Sequence, residues 1–262
     1  MILTYNISDL RPYINWVYFY FAWQLKDTEA QRKMREEAET FLDQHEGRYK
    51  AHALFLLLDA HAEGDNIVLD RDGERIVLPL LRQQDAAPCL CLSDFISPKK
   101  DTIGLFAAST DIGMECDFDS DPYTKMMAQL LADRLAEAAT ERMHQEVRTH
   151  YWGYAPDEHL LMEDLHLERF QGIRPAVGYP SLPDASFNFL LDSVLDMKQI
   201  GIRLTENGAM RPHASVSGLM ISHPQARYFS VGKVGEDQLY DYARRRGIPV
   251  ELARKFLAAN LR

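Results

Sequence analysis

The chain has 262 residues, 46% of them apolar and 26% charged, an ordinary globular composition with room for one large domain or two small ones. Its formal net charge of −10 argues against a generalised nucleic-acid surface, which needs clustered Lys and Arg, and against docking on anionic membrane. The longest apolar run, at 17–23, is far short of the roughly 20 residues that a membrane span needs, and no basic segment followed by an apolar stretch marks a signal peptide.

In chain order, Asp27 or Thr28 caps an expected helix running to about His45, with Ala30, Met34, Ala38, Phe41 and Leu42 on one face and Gly47 as its stop. Strand-like runs follow at 53–58, 66–69, 75–81, 87–95 and 102–108, separated by turn-rich pieces. After an acidic loop at 115–121, helical spacing from Tyr123 through Leu131 and Leu135 to Val147 predicts a long helix over 122–150. Residues 152–186 are rich in Pro, Gly and Tyr and read as irregular but ordered. A helix from Ser186 to Gly201 comes next, then strands at 202–205, 214–222 and 227–234 and short helices at 238–246 and 249–257. Successive strands without intervening helices favour an antiparallel α+β fold.

Several patterns carry less than they suggest. Cys89, Cys91 and Cys116 form an odd set without a secretion signal, which suggests reduced thiols in the cytoplasm; Cys89 and Cys91 are expected to pack in the core. Asp59-x-His61-x-x-Gly64 spells a corrinoid-binding string, but the residues after it read as a turn into a strand, so a hairpin loop is expected rather than a cobalt ligand. Asp117, Asp119 and Asp121 open like a calcium loop that then lacks its Gly and Glu, leaving a solvated acidic loop. His144, His150, His159 and His166 crowd one region without metal-ligand spacing, so no metal site is assigned. The chain also has no glycine-rich phosphate loop of the doubly wound nucleotide folds.

The informative stretch is Tyr151-Trp152-Gly153-Tyr154-Ala155-Pro156, then Gln171-Gly172-Ile173-Arg174-Pro175-Ala176-Val177-Gly178-Tyr179-Pro180. Arg174 on a loop stiffened by proline suits bidentate capture of a carboxylate, and the glycines let backbone approach a ligand. Tyr179 offers a ring at the end of that loop. The small residues 214–218 suggest a groove, and Tyr228-Phe229 supply aromatic surface for a sulfonium or a purine. The same residues also fit a tight structural loop with Arg174 in an internal ion pair.

These blocks, with Ile14-Asn15-Trp16, Leu92-Ser93-Asp94-Phe95-Ile96, Leu131-Ala132-Asp133-Arg134-Leu135-Ala136-Glu137 and the final Asn260-Leu261, resemble the reactivation domain of cobalamin-dependent methionine synthase over nearly the whole chain. The resemblance implies one C-shaped α+β domain over residues 1–262, with helices flanking a twisted antiparallel sheet and S-adenosylmethionine lying extended on its concave face. It implies that the sulfonium methyl passes to the reduced cobalt of cobalamin on a corrinoid-binding methionine synthase module, with one electron from a flavodoxin-type donor. Carried over by position, Arg174 holds the ligand carboxylate, while Ala176, Gly178 and Tyr179 line the ligand with Tyr228 and Phe229. Asn15 stands where the family has an acid that meets the ligand's ammonium, and Glu168 is a candidate replacement. Asp133 and Glu137 either face the corrinoid module or belong, with Glu141, to a solvated helix face. No catalytic acid, base or nucleophile is assigned. Homocysteine, folate and corrinoid modules have no counterpart here, so a separately encoded domain or an excised one is expected. A non-catalytic S-adenosylmethionine sensor and a reactivation partner of another corrinoid methyltransferase remain alternatives.

Overall fold

The computed structural model describes all 262 residues. The chain enters through strand β1 (Ile2–Asn6), a short helix α1 (Ile7–Leu10), a 3-10 turn and helix α2 (Trp16–Ala22). Helical spacing does not announce α2, because seven residues of mostly aromatic sequence carry no polar stripe; its start is set by Asn15, whose Oδ1 accepts from the Val17 amide at 3.2 Å. Helix α3 (Thr28–Gln44) is capped by Asp27 and buries Ala38, Phe41 and Leu42. Strands β2 (Lys50–Glu63), β3 (Asn66–Arg71), β4 (Glu74–Pro79) and β5 (Asp101–Thr110) lead to a short α4 (Gly113–Cys116) and to the long α5 (Pro122–Glu146). A π-helical turn, Val147–Tyr151, extends α5. The second half holds α6 (Met162–His166), α7 (Phe187–Leu195), the two-residue strands β6 (Arg203–Leu204) and β7 (Met210–Arg211), β8 (Ser215–Met220), α8 (Glu236–Arg246) and α9 (Val250–Phe256).

The main sheet runs β4-β3-β2-β5-β8, with β1 also on β2, and every pairing is antiparallel. At 14 residues, β2 is long enough for β1 to pair with its first half and β3 with its end, on the edge opposite β5. Successive side chains of a strand point to opposite faces. Ala53, Phe55, Phe106 and Ala108 therefore join the core under α2, α3 and α5, while Leu54, Leu105, Ala107 and Leu219 join the core under α7. Both faces of the central strands are buried, which explains why β5 reads as an unbroken apolar run. A smaller cluster packs α8 and α9 on Leu81, Val231 and Val234. No helix is long and apolar enough to cross a membrane.

Five expectations need correction. Residues 87–95 are not a strand. Asp94 accepts from the Cys91 amide at 2.8 Å and takes both guanidinium nitrogens of Arg82 at 2.7 Å, which winds Leu92–Phe95 into a 3-10 turn. Cys91 is buried there as expected, but Cys89 is exposed. Residues 227–234 are not a strand either, because the outer edge of β8 is already taken: Ile173 bridges Ile221 and Ala176 bridges Gly218. The helix expected from Ser186 to Gly201 breaks at Asp196, in the left-handed region with φ 52°, and resumes as a 3-10 turn. Asp59 and His61 lie within β2 rather than in a loop, with Gly64 alone on the turn, and His61 Nε2 is 3.0 Å from Glu63.

The acidic loop is likewise committed to the fold: Asp117 accepts from Tyr49 and Arg48, Asp119 pairs with Lys125 and Asp121 caps α5. The C-terminal Tyr242–Arg246 block is a brace. Tyr242 donates to Asp184 at 2.7 Å, Arg246 reaches the same carboxylate at 3.2 Å, and Arg245 donates to the Leu80 and Asp65 carbonyls.

Candidate functional site

The Arg174 loop lies on β8 as a partial extra strand. The Val177 amide donates to the Ser217 carbonyl at 2.9 Å, and the Leu219 amide donates to the Pro175 carbonyl at 3.0 Å. Gly218 permits this approach, since a Cβ there would stand 2.2 Å from Pro175 O and 2.9 Å from Ala176 Cα. The small residues of 214–218 therefore admit the loop itself rather than leaving an open groove. At the far end Gly178 turns the chain at φ 87° and donates to the Leu182 carbonyl at 2.8 Å, which presents the 56% exposed Tyr179 outward.

Beside this loop opens a cleft of about 660 Å³, walled by α2, α5, the residues after α6 and the segment 228–230. Its size is within the roughly 300–1,000 Å³ of small-molecule sites. A shallower groove of about 440 Å³ between α3 and α5 is lined by exposed charged side chains such as Lys33 and Glu36 and has no comparable set of converging groups. The cleft lining includes Asn15, Glu137, Glu168, Arg174, Ala176, Tyr179, Tyr228 and Phe229; Gly178 shapes the turn without touching it, and Asp133 stands outside it.

Arg174 forms the internal pair that its sequence context also allowed. Its Nη2 lies 3.2 Å from Glu141 Oε2, with both side chains 12% exposed. Burial, the largest single influence, pulls its pKa down, but Glu141, Tyr228 and Glu137 together outweigh it and keep the guanidinium above its ordinary value, fully charged. The other oxygen, Glu141 Oε1, is buried without a hydrogen-bond partner. Glu141 and its helical neighbours are thus no solvated stripe: Glu141 is buried against Arg174, Glu137 lines the cleft 3.5 Å from the Tyr179 hydroxyl, and Asp133 lies 3.5 Å from His213. Burial raises the Asp133 pKa above the usual carboxylate value.

Sequence reading missed the support behind Arg174. His144 is fully buried, and its Nδ1 lies 3.2 Å from Arg174 Nη1 and 2.9 Å from Arg148 Nη1. Arg148, carried inward by the π-helical turn, is itself fully buried and pairs with both oxygens of Glu158 at 2.9 and 2.7 Å. The Phe170 ring lies 4.0 Å from its guanidinium carbon. The Tyr151–Pro156 motif therefore serves to turn the chain so that Glu158 meets Arg148; Trp152 and Tyr154 pack edge to face within it. The available signal was the spacing of His144 and Arg148, one helical turn apart and three and seven residues beyond Glu141.

Tyr228 fixes the loop from the other side, its hydroxyl accepting from the Arg174 amide at 2.9 Å. Phe229 is tied through its backbone to the Ser181 hydroxyl, at 2.5 and 3.1 Å. Glu168 sits in the left-handed region at φ 55°, a conformation that costs a non-glycine residue roughly 1–3 kcal/mol, and burial raises its carboxyl pKa. Asn15 lines the cleft while its Oδ1 caps α2. An aspartate there would keep the cap and add a charge that the helix N-terminus favours. Asn15→Asp is therefore expected to leave the fold intact and to tighten binding of an ammonium-bearing ligand by several-fold, with the gain shrinking as salt rises. Calorimetric titration checks this, and weaker binding would show that another group already neutralises the ammonium.

An all-antiparallel sheet with helices packed on both faces, and one cleft in which an arginine loop faces an acidic helix, places the chain among α+β domains outside the parallel nucleotide-binding folds. The chain belongs to the family of vitamin B12-dependent methionine synthase activation domains, whose family model matches residues 6–247. It is also similar to a solved structure described as the crystal structure of the MetH reactivation domain bound to AdoHcy. The two are 37% identical with a TM-score of 0.93, over 100% of this chain and 90% of that one.

Proposed function

We propose that this chain binds S-adenosylmethionine in the Arg174 cleft and presents its sulfonium methyl to the reduced cobalamin of a corrinoid-binding methionine synthase module on a partner. The observation that carries this reading is the Arg174–Glu141 pair, a buried cation beside a carboxylate with one unpartnered oxygen at the cleft wall. That arrangement complements the two charges of an amino-acid head group. Three lining carboxylates, Glu137, Glu141 and Glu168, against two guanidiniums, Arg134 and Arg174, leave the cleft net anionic, which suits a sulfonium cation. Tyr179, Tyr228 and Phe229 supply the aromatic wall for the nucleoside and the sulfonium. The related reactivation domain that binds AdoHcy, the demethylated form of the same ligand, supports the assignment.

In this reading the chain positions a donor and supplies no acid or base. The leaving thioether departs neutral and the reduced corrinoid brings the electron pair, so no proton moves. What remains is alignment, worth several kcal/mol of approach entropy or more. Glu137, which lines the cleft, and Asp133, one turn earlier on α5 and outside it, are proposed to face the corrinoid module, with Tyr179 at the contact. A flavodoxin-type protein would supply the electron, the setting would be cytoplasmic, and residues 1–262 would act as one unit. The test is transfer of a labelled methyl from S-adenosylmethionine to a reduced corrinoid protein, with and without this chain.

A further inference from the structure

We propose that His144 is a positioning residue for the ligand's carboxylate: as a neutral imidazole accepting through Nδ1, it ties the Arg174 guanidinium to the buried Arg148–Glu158 pair and so makes the cleft selective for nucleosides that carry an amino-acid head. This rests on the reading that the cleft binds S-adenosylmethionine or its demethylated product.

Both groups at His144 Nδ1, Arg148 Nη1 at 2.9 Å and Arg174 Nη1 at 3.2 Å, are guanidinium nitrogens that can only donate. Nδ1 must therefore be the bare, accepting nitrogen, and the proton must sit on Nε2. Burial first, then Arg148 and Arg174, hold the imidazole pKa well below its ordinary value, so the accepting form is the resident one. The fold gains little else from this residue. Nε2 is buried with no hydrogen-bond partner, and leaving such a donor unmet costs about 1–3 kcal/mol. An apolar ring against Phe170, whose ring meets His144 edge to face at 5.0 Å, would avoid that cost.

What the imidazole does supply is a fixed point between two cations. Arg148 cannot move, being fully buried, held at two points by Glu158 and flanked by Phe170. Arg174 has only two side-chain partners. Nη2 meets Glu141, which a ligand's ammonium would also engage, and Nη1 meets His144, which lies behind the cleft wall. When a ligand engages Glu141, His144 is the remaining protein partner that keeps the guanidinium plane in place. A guanidinium fixed in its plane reads a carboxylate at two points, whereas a loose one must be ordered at the moment of binding.

The experiment compares two probes by calorimetric titration. S-Adenosylhomocysteine carries the amino-acid head; 5′-methylthioadenosine keeps the thionucleoside and lacks the head. His144→Asn leaves an acceptor near the Nδ1 position, and His144→Gln moves it out to the Nε2 position. The wild type is expected to prefer S-adenosylhomocysteine. His144→Gln and His144→Phe should lose roughly tenfold in affinity for it, about one hydrogen bond to a charged group, with methylthioadenosine unchanged, and His144→Asn should recover most of that loss. Should His144→Phe fail to fold, the Asn–Gln comparison decides alone. Equal losses for both probes, equal behaviour of Asn and Gln, or no loss for S-adenosylhomocysteine would overturn the proposal. A wild-type chain that binds neither probe would instead remove the functional reading beneath it.

Discussion

Replacing Arg174 by alanine is expected to weaken S-adenosylmethionine binding roughly ten- to a hundredfold, the loss of a charge-assisted pair worth about 1.5–3 kcal/mol. The guanidinium is 88% withdrawn from solvent on the side-chain scale and held between Glu141 and His144, so a ligand carboxylate would meet a cation already desolvated and oriented. Removing it also leaves Glu141 facing the incoming carboxylate with no intervening positive charge. Arg174→Lys keeps the charge but not the planar fork and should fall between wild type and alanine. The double variant Arg174→Ala with Glu141→Gln removes both charges together. It should melt closer to wild type than the single alanine variant, because no half-buried charge is stranded, yet still bind poorly. Calorimetry alongside thermal melting separates the two effects, and unchanged affinity in a folded Arg174→Ala chain would exclude Arg174 as the carboxylate group.

Gly218→Ala should have the largest effect reached from outside the cleft. The added methyl would stand 2.2 Å from the Pro175 carbonyl oxygen and 2.9 Å from both Ala176 Cα and the Phe106 ring, so the loop must lift from β8. Lifting it strains the bonds from Val177 to Ser217 and from Leu219 to Pro175 that hold Arg174 in register. Overpacking of this kind costs roughly 1–3 kcal/mol, which for a domain somewhat above 150–250 residues is a fall in Tm of a few degrees. The distinctive outcome is that ligand affinity falls with it, although Gly218 itself does not line the cleft. A variant that melts lower but binds as before would show that the loop's seat on β8 does not set the position of Arg174.

Much of the architecture was legible before any coordinates. The apolar spacing that continues to Val147 marked α5, and strands following one another without helices marked an antiparallel α+β sheet. The misplaced elements share a cause, which is that strand propensity does not say whether an edge is free. Residues 227–234 have the composition of a strand, but the segment before Tyr179 had already bridged β8. Residues 87–95 look like a strand until Arg82, five residues upstream, is seen to close Asp94 into a turn.

The cleft divides in the same way. Arg174, Tyr179 and Tyr228 stood out because proline, glycine and aromatic residues clustered in sequence. His144, Arg148 and Glu158 did not, because a buried histidine in contact with two arginines is visible only once α5, its π-helical turn and the Tyr151–Pro156 bend are folded together. Asn15 was legible as a departure from the family acid, but its work as the cap of α2 was not.

The most direct measurement is single-turnover transfer of a labelled methyl group from S-adenosylmethionine to the reduced corrinoid module of a methionine synthase. The account predicts that adding this chain accelerates transfer, that Tyr179→Ala slows it, and that His61→Ala, in a strand away from the cleft, does not. A chain that binds S-adenosylmethionine tightly yet accelerates transfer to no corrinoid partner would contradict it and leave the sensor reading in its place.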